Sequence, residues 1–329
     1  MKGQALCVRR EILRFAQNDS RAAAARLPRV AKPASRLAAL LLLFALLGAA
    51  CGGSDDEAPQ TRLRAVASLD IFADMARQVG GDRVEVTTLL PSGADPHTFE
   101  LSPQQVVPVV EADVVLINGL GLEGNTEDVV RNNAEGIVIE LTEGLDTLGD
   151  NPHLWLDVDL AARYVERIRD AFVELDPEGQ DVYEANAEAY LGVLRRLDLE
   201  MEAAIQTIPP ESRKLVTPHD AFPYLAERYG LEVVAVVTTS PGQSPSARSV
   251  AELTEKLSSE HVPAVFREPQ SNSDVLEQAA EEAGVEVFEL LSDAFAEGVD
   301  SYVELMRFNM EQLIEGLGQL GFADASFGG

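Results

Sequence analysis

Residues 178–206 read EGQDVYEANAEAYLGVLRRLDLEMEAAIQ, a run without proline in which, past Gly179, Gly192 is the only glycine. Tyr183, Ala187, Tyr190, Leu194, Leu197, Met201 and Ile205 recur at spacings of three and four, with Glu, Arg and Asp on the remaining positions. That is one apolar stripe on an amphipathic helix. At 1.5 Å per residue such a helix runs about 40 Å, the width of a domain. Two shorter helices broken near Leu194 are the other reading of the same run.

On both sides of this stretch short apolar runs alternate with helical periods, the pattern of an α/β protein with mainly parallel sheets. Before it, strands are expected at Leu63 to Ala67, Val84 to Leu90, Val114 to Asn118 and Ile137 to Glu140. Helical patterns fall at Ile71 to Val79, Pro103 to Ala112, Thr126 to Asn133 and from Asp159 onward. After it, strands are expected at Leu215 to Thr217, Glu232 to Val237, Ala264 to Arg267 and Glu286 to Leu290. Helices should lie at Ala221 to Tyr229, Ala247 to Ser258, Ser273 to Ala283 and Val299 to Leu317. Continuous Val/Ile/Leu runs of this kind belong to strands buried on both faces. The expected architecture is two (β/α) lobes, residues 62–177 and 208–318, joined by one long helix over 178–207, with a tail at 319–329.

The chain has 329 residues, is 46% apolar and carries a formal charge of −29. That composition suits globular cores and argues against nucleic acid, which requires a basic stripe. Charge is uneven: residues 1–50 hold nine Lys/Arg and two acids, and the remainder has a net charge of −36. The apolar run Leu37 to Ala50, 14 residues long, is too short to span a bilayer and fits the core of a signal peptide. Residues 1–35 exceed an ordinary leader, so translation is expected to start downstream of Met1 at a non-AUG codon. Small residues directly before Cys51 resemble a bacterial lipoprotein processing site, although Gly48 replaces the usual Leu. Residues 51–61 then read as a lipidated polar tether. The only other cysteine is Cys7, so a form beginning at Cys51 has no intramolecular disulfide and no CxxC zinc pattern.

Three of the four histidines follow a proline, in Asp95-Pro96-His97, Asn151-Pro152-His153 and Thr217-Pro218-His219. Proline fixes its own φ and restricts the preceding residue, so an imidazole placed there has little backbone freedom left to lose. Imidazole is the commonest protein ligand for transition metals. Loops leaving the carboxyl ends of strands are where ligands bind in open α/β sheets. His97 and His153 belong to the first lobe and His219 to the second, which places a shared metal in the cleft between them. Asp293, after the last strand, is the candidate fourth ligand. Glu100, Asp157, Asp220 and Glu268 are candidates to orient the imidazoles. Trp155 reads as packing beside the site, and His261 as a surface residue.

With these residues in place the chain resembles the solute-binding lipoproteins of ABC transporters for zinc or manganese, the metal-binding adhesin-like lipoproteins. The matching stretches are 91–97, 112–123, 152–157, 219–222, 229–231, 268–270 and Ser292-Asp293, in family order between Arg62 and Leu317. The resemblance implies that His97, His153, His219 and Asp293 bind the metal. It also implies an extracytoplasmic monomer, lipid-anchored or periplasmic, that hands its cargo to an ABC permease with its ATPase. Zn²⁺ is the expected cargo, since three imidazoles and one carboxylate suit its four-coordinate chemistry, with Mn²⁺ the alternative. Family members with a carboxylate in place of His219 look manganese-directed, whereas many zinc-specific relatives carry a His-rich loop that the segment 142–151 lacks. The chain is not expected to be an enzyme. The competing functions are a zinc-dependent hydrolase, which would need an open metal position and a base of the H-E-x-x-H kind, and an adhesin or structural lipoprotein whose metal only stabilises the fold.

Overall fold

Among the described residues of the computed structural model there are eight strands, all parallel, and each lies within about two residues of an apolar run. The structure describes residues 62–238 and 247–318. The expected signal peptide at 1–50, the expected lipidation site Cys51 with its tether at 51–61, and the expected tail at 319–329 lie outside the described residues. In the first lobe β1 (Leu63–Ala67), β2 (Val84–Thr88), β3 (Val114–Ile117) and β4 (Ile137–Glu140) form one sheet in the order β2-β1-β3-β4. Its helices are α1 (Asp70–Gly80), α2 (Pro103–Glu111), α3 (Asn125–Asn133) and α4 (Val158–Leu175). All four residues of β3 are buried, as its uninterrupted VVLI sequence requires for a central strand covered on both faces.

The linking helix is α5 (Gln180–Ile205), 26 residues without a break at Gly192 or Leu194. Each residue of the predicted stripe, from Tyr183 to Ile205, is buried. It packs on α1 and α4 of the first lobe and on α9 (Tyr302–Leu317) of the second. Between lie β5 (Lys214–His219), α6 (Pro223–Tyr229), β6 (Glu232–Thr238), α7 (Ala247–Ser259), β7 (Ala264–Arg267), α8 (Asp274–Ala283) and β8 (Glu286–Glu289). Here β5 pairs with β6 and β7 with β8, and β5 lies beside β7, so the spatial order β6-β5-β7-β8 repeats that of the first sheet.

Element ends differ from the expected ones where side chains take over. The helix expected from Val299 starts at Tyr302 because Ser301 caps it, its hydroxyl accepting from Glu304 N. The helix expected from Ala221 starts at Pro223, a residue suited to the first helical position. One apolar core runs through both lobes, from Phe72 and Ile117 through Trp155 and Ile205 to Phe222, Phe266 and Tyr302. A second, smaller cluster lies under α7 and α8, built on Val216, Leu257, Val265 and Leu276. Among the described residues no helix is long and apolar enough to cross a membrane.

Candidate metal centre

The four residues proposed from sequence as ligands come together between the lobes. One donor atom from each of His97, His153, His219 and Asp293 lies within 4.8 Å of the others. His153 Nε2 is 3.3 Å from both His97 Nε2 and His219 Nε2, and 3.4 Å from Asp293 Oδ1. Asp293 Oδ2 is 3.8 Å from His97 Nε2 and 3.6 Å from His219 Nε2. Donors about 2.0–2.1 Å from a tetrahedral centre stand about 3.3 Å apart, so these separations fit a four-coordinate ion of zinc's size. Asp293 Oδ1 is buried without a hydrogen-bond partner, an arrangement that a cation would satisfy.

Each donor is aimed by its loop. Asp95 Oδ1 accepts from His97 N at 2.9 Å, closing an Asx turn around buried Pro96. Gly124 comes so near that a Cβ there would stand 2.9 Å from the His97 carbonyl oxygen, and its φ is +49°. Asn151 Oδ1 accepts from both His153 N (3.1 Å) and ring Nδ1 (3.0 Å), while Asn151 Nδ2 donates to the Asp220 carbonyl at 2.6 Å. That assignment puts the imidazole proton on Nδ1 and leaves the Nε2 lone pair facing the other donors. His219, the last residue of β5, has Nδ1 2.5 Å from Glu268 Oε2, an ion-pair contact poorly aligned for a hydrogen bond. Trp155 is fully buried beside His153, with ring centroids 5.3 Å apart, and its Nε1 donates to the Ser292 carbonyl at 2.9 Å.

Of the residues named as imidazole-orienting, Glu268 meets His219 and is 1% exposed. Asp220 contributes its backbone carbonyl. Asp157 instead caps α4, accepting from Asp159 N at 2.8 Å, and Glu100 is exposed. His261 is exposed, with φ +52°. Sequence reading missed Asn151, although it precedes a Pro-His pair, and Glu123. The Glu123 carboxylate is fully buried and accepts from Ser68 Oγ (2.7 Å) and Asn118 N (2.6 Å). Asn118 Nδ2 in turn donates to the Pro152 carbonyl at 2.9 Å, so Glu123 braces the His153 loop from behind. Burial pushes the Glu123 carboxyl up to about 7 against those hydrogen bonds.

Burial and the neighbouring His219 charge lower His97 to about 4, and burial holds His153 well below its ordinary value. Burial works against protonated His219 as well, yet the Glu268 carboxylate beside it prevails and raises His219 to about 9. Burial raises Asp293 to about 7. At pH 7.5 the metal-free site therefore keeps a proton on His219, which a cation must displace. Binding is expected to release about one proton at pH 7.5, and affinity should rise with pH up to about 9. Below about 7 it should fall more steeply, because Asp293 is then protonated too. Calorimetry in buffers of different ionisation enthalpy measures this release; a value of zero would contradict the assignment.

Residues 65–316 match the family described as zinc-uptake complex component A, periplasmic. The manganese-binding lipoprotein MntA of Halalkalibacterium halodurans is 32% identical over 292 residues, covering 85% of this chain and 97% of that protein. The manganese ABC transporter substrate-binding lipoprotein PsaA of Streptococcus pneumoniae is 29% identical, covering 84% of this chain and 95% of its own. Among solved structures, the periplasmic zinc binding protein TroA of Treponema pallidum superimposes with a TM-score of 0.72 at 26% identity, covering 78% of this chain and 99% of its own. The Mn-bound periplasmic metal binding protein of Candidatus Liberibacter asiaticus gives 0.69 at 27% identity, covering 78% of this chain and all of its own. With a family match across most of its length, a relative above 30% identity and the same fold, the chain belongs to the family of zinc-uptake complex component A, periplasmic.

Proposed function

We propose that this protein is an extracytoplasmic metal-binding protein that captures one divalent transition metal through His97, His153, His219 and Asp293 and delivers it to an ABC permease. The observation that carries this is the convergence of three imidazole nitrogens and one carboxylate, contributed by both lobes, at separations that fit a four-coordinate ion. Family membership and the names of the relatives, several of them ABC transporter substrate-binding lipoproteins, support the delivery role. Lipid anchoring through Cys51 is part of the same proposal, in keeping with the lipoprotein names of those relatives.

Zinc is the cargo that this donor set favours. Three nitrogens, one oxygen and tetrahedral spacing suit Zn²⁺, whereas Mn²⁺ prefers more oxygen and lies below zinc in affinity at nitrogen sites. Relatives carry both metals in their names, manganese for MntA and PsaA and zinc for TroA, so the selection rests on the donors of this chain. Against the hydrolase reading, Asp293 occupies the corner that a reactive water would need.

The test is competitive titration with Zn²⁺ and Mn²⁺, followed by fluorescence of Trp155, the chain's single tryptophan, which lies against His153. One equivalent of zinc bound reversibly by a protein that stays folded when stripped is the expected result. Unfolding on removal would favour a structural metal, and preference for Mn²⁺ in direct competition would overturn the zinc assignment.

A further inference from the structure

The segment between β4 and His153 has no regular structure, and residues 146–150 are exposed. Thr142 anchors its start, with N and Oγ1 both donating to the Asn118 carbonyl at 3.2 and 2.8 Å. Beyond that point the segment borders two cavities. One, of about 370 Å³, is lined by Asp146, Thr147, Leu148, Tyr224 and Arg228, among others. The other, of about 510 Å³, is the cleft that holds His97, His153 and His219, and Leu148 lines both. A strap with little packed beneath it depends on its hydrogen bonds for its position.

Several of those bonds run to the other lobe. The Tyr224 hydroxyl, from α6, accepts from Leu148 N and donates to the Asn151 carbonyl, each at 2.9 Å, so both its donor and its acceptor capacity are used on this strap. The Asn151 side chain adds the bond to the Asp220 carbonyl, the residue directly after His219. Its oxygen meanwhile holds the His153 ring. A single amide thus joins a donor of one lobe to the backbone behind a donor of the other, and any parting of the lobes breaks these bonds together.

We propose that Tyr224 and Asn151 form a clasp between the lobes that holds the 146–151 strap beside the bound metal and slows its release. Asn151 positions His153 directly. Tyr224 touches none of the four donors in any hydrogen bond or ion pair described above and acts only through the strap. The proposal rests on the metal-capture reading, and its test separates the two.

Tyr224→Phe removes the hydroxyl and keeps the buried ring. Wild type and variant are loaded with Zn²⁺ and the release rate is followed with excess chelator; the Co²⁺-loaded forms are compared by absorption spectrum. Loss of two hydrogen bonds is expected to speed release about tenfold. The Co²⁺ spectrum should stay unchanged and the melting temperature of the metal-free form should fall by no more than a few degrees, while amide exchange over 146–151 accelerates. A role in folding alone would move the melting temperature and leave the release rate in place. Release at the wild-type rate, or an altered Co²⁺ spectrum, overturns the clasp. Failure of the wild-type protein to take up Zn²⁺ or Co²⁺ overturns the capture reading itself.

Discussion

Replacing His153 with Ala is expected to weaken zinc binding about a thousandfold, ~4 kcal/mol. Of the four proposed ligands His153 holds the most central place: its Nε2 has the three shortest separations, 3.3 Å to each of the other imidazoles and 3.4 Å to Asp293. Its removal leaves His97, His219 and Asp293 to bind alone, with water in the vacated corner. Asn151→Ala, which keeps all four donors and only frees the ring, should lose ten- to hundredfold, the usual range for an outer partner of a ligating histidine. A fluorimetric competition titration gives both values. If His153→Ala cost less than Asn151→Ala, the ring would not be a ligand and the centre would have to be placed elsewhere.

Trp155→Ala should produce the largest loss of stability in the metal-free protein, about 3–5 kcal/mol, the cost of truncating a fully buried indole. The side chain is 0% exposed and packs edge-on to Phe72 at 5.4 Å. Its Nε1–H satisfies the Ser292 carbonyl, and its own carbonyl accepts from Tyr302 OH at 2.7 Å. Truncation leaves a cavity in the core shared by the lobes and an unpaired carbonyl one residue from Asp293. A fall of roughly 10 °C in melting temperature is expected by calorimetry. Trp155→Phe should recover most of the stability while leaving Ser292 unpaired, so zinc affinity should recover less. Equal recovery of both would show that the indole N–H does not position Asp293.

The β-strands were legible because Val, Ile and Leu gather where both faces of a sheet are covered, as in the VVLI of β3. The long helix was legible from its stripe, because every residue from Tyr183 to Ile205 in that pattern faces the core. Three of the four proposed ligands stood out in the sequence because proline marked them, and Asp293 because it follows a strand; the structure brings the four together. Tyr224 and Glu123 carry no such mark; Asn151 stands beside one, and its bond to His153 two residues on is local. Tyr224 meets residues 73 and 76 positions away, and Glu123 reaches back 55 positions to Ser68. Polar pairing over such separations depends on how the loops fold against one another, which neither periodicity nor spacing encodes. Glu100 and Asp157 were named from proximity in sequence to ligand motifs, and proximity alone did not bring them to an imidazole.

The unbroken 26-residue α5, packed into both lobes, also has a kinetic meaning. Hinged binding proteins swing open on the microsecond-to-millisecond scale, and that motion sets how often cargo can leave. An uninterrupted strut embedded in one continuous core leaves little room for such a wide swing. Its dwell time is then governed by the metal–donor bonds and by fluctuations of the segment beside them, both local events. A metal-binding protein built this way is expected to lose little metal by drifting open. Under the proposed function, unloading is then a task for the partner that docks against the cleft.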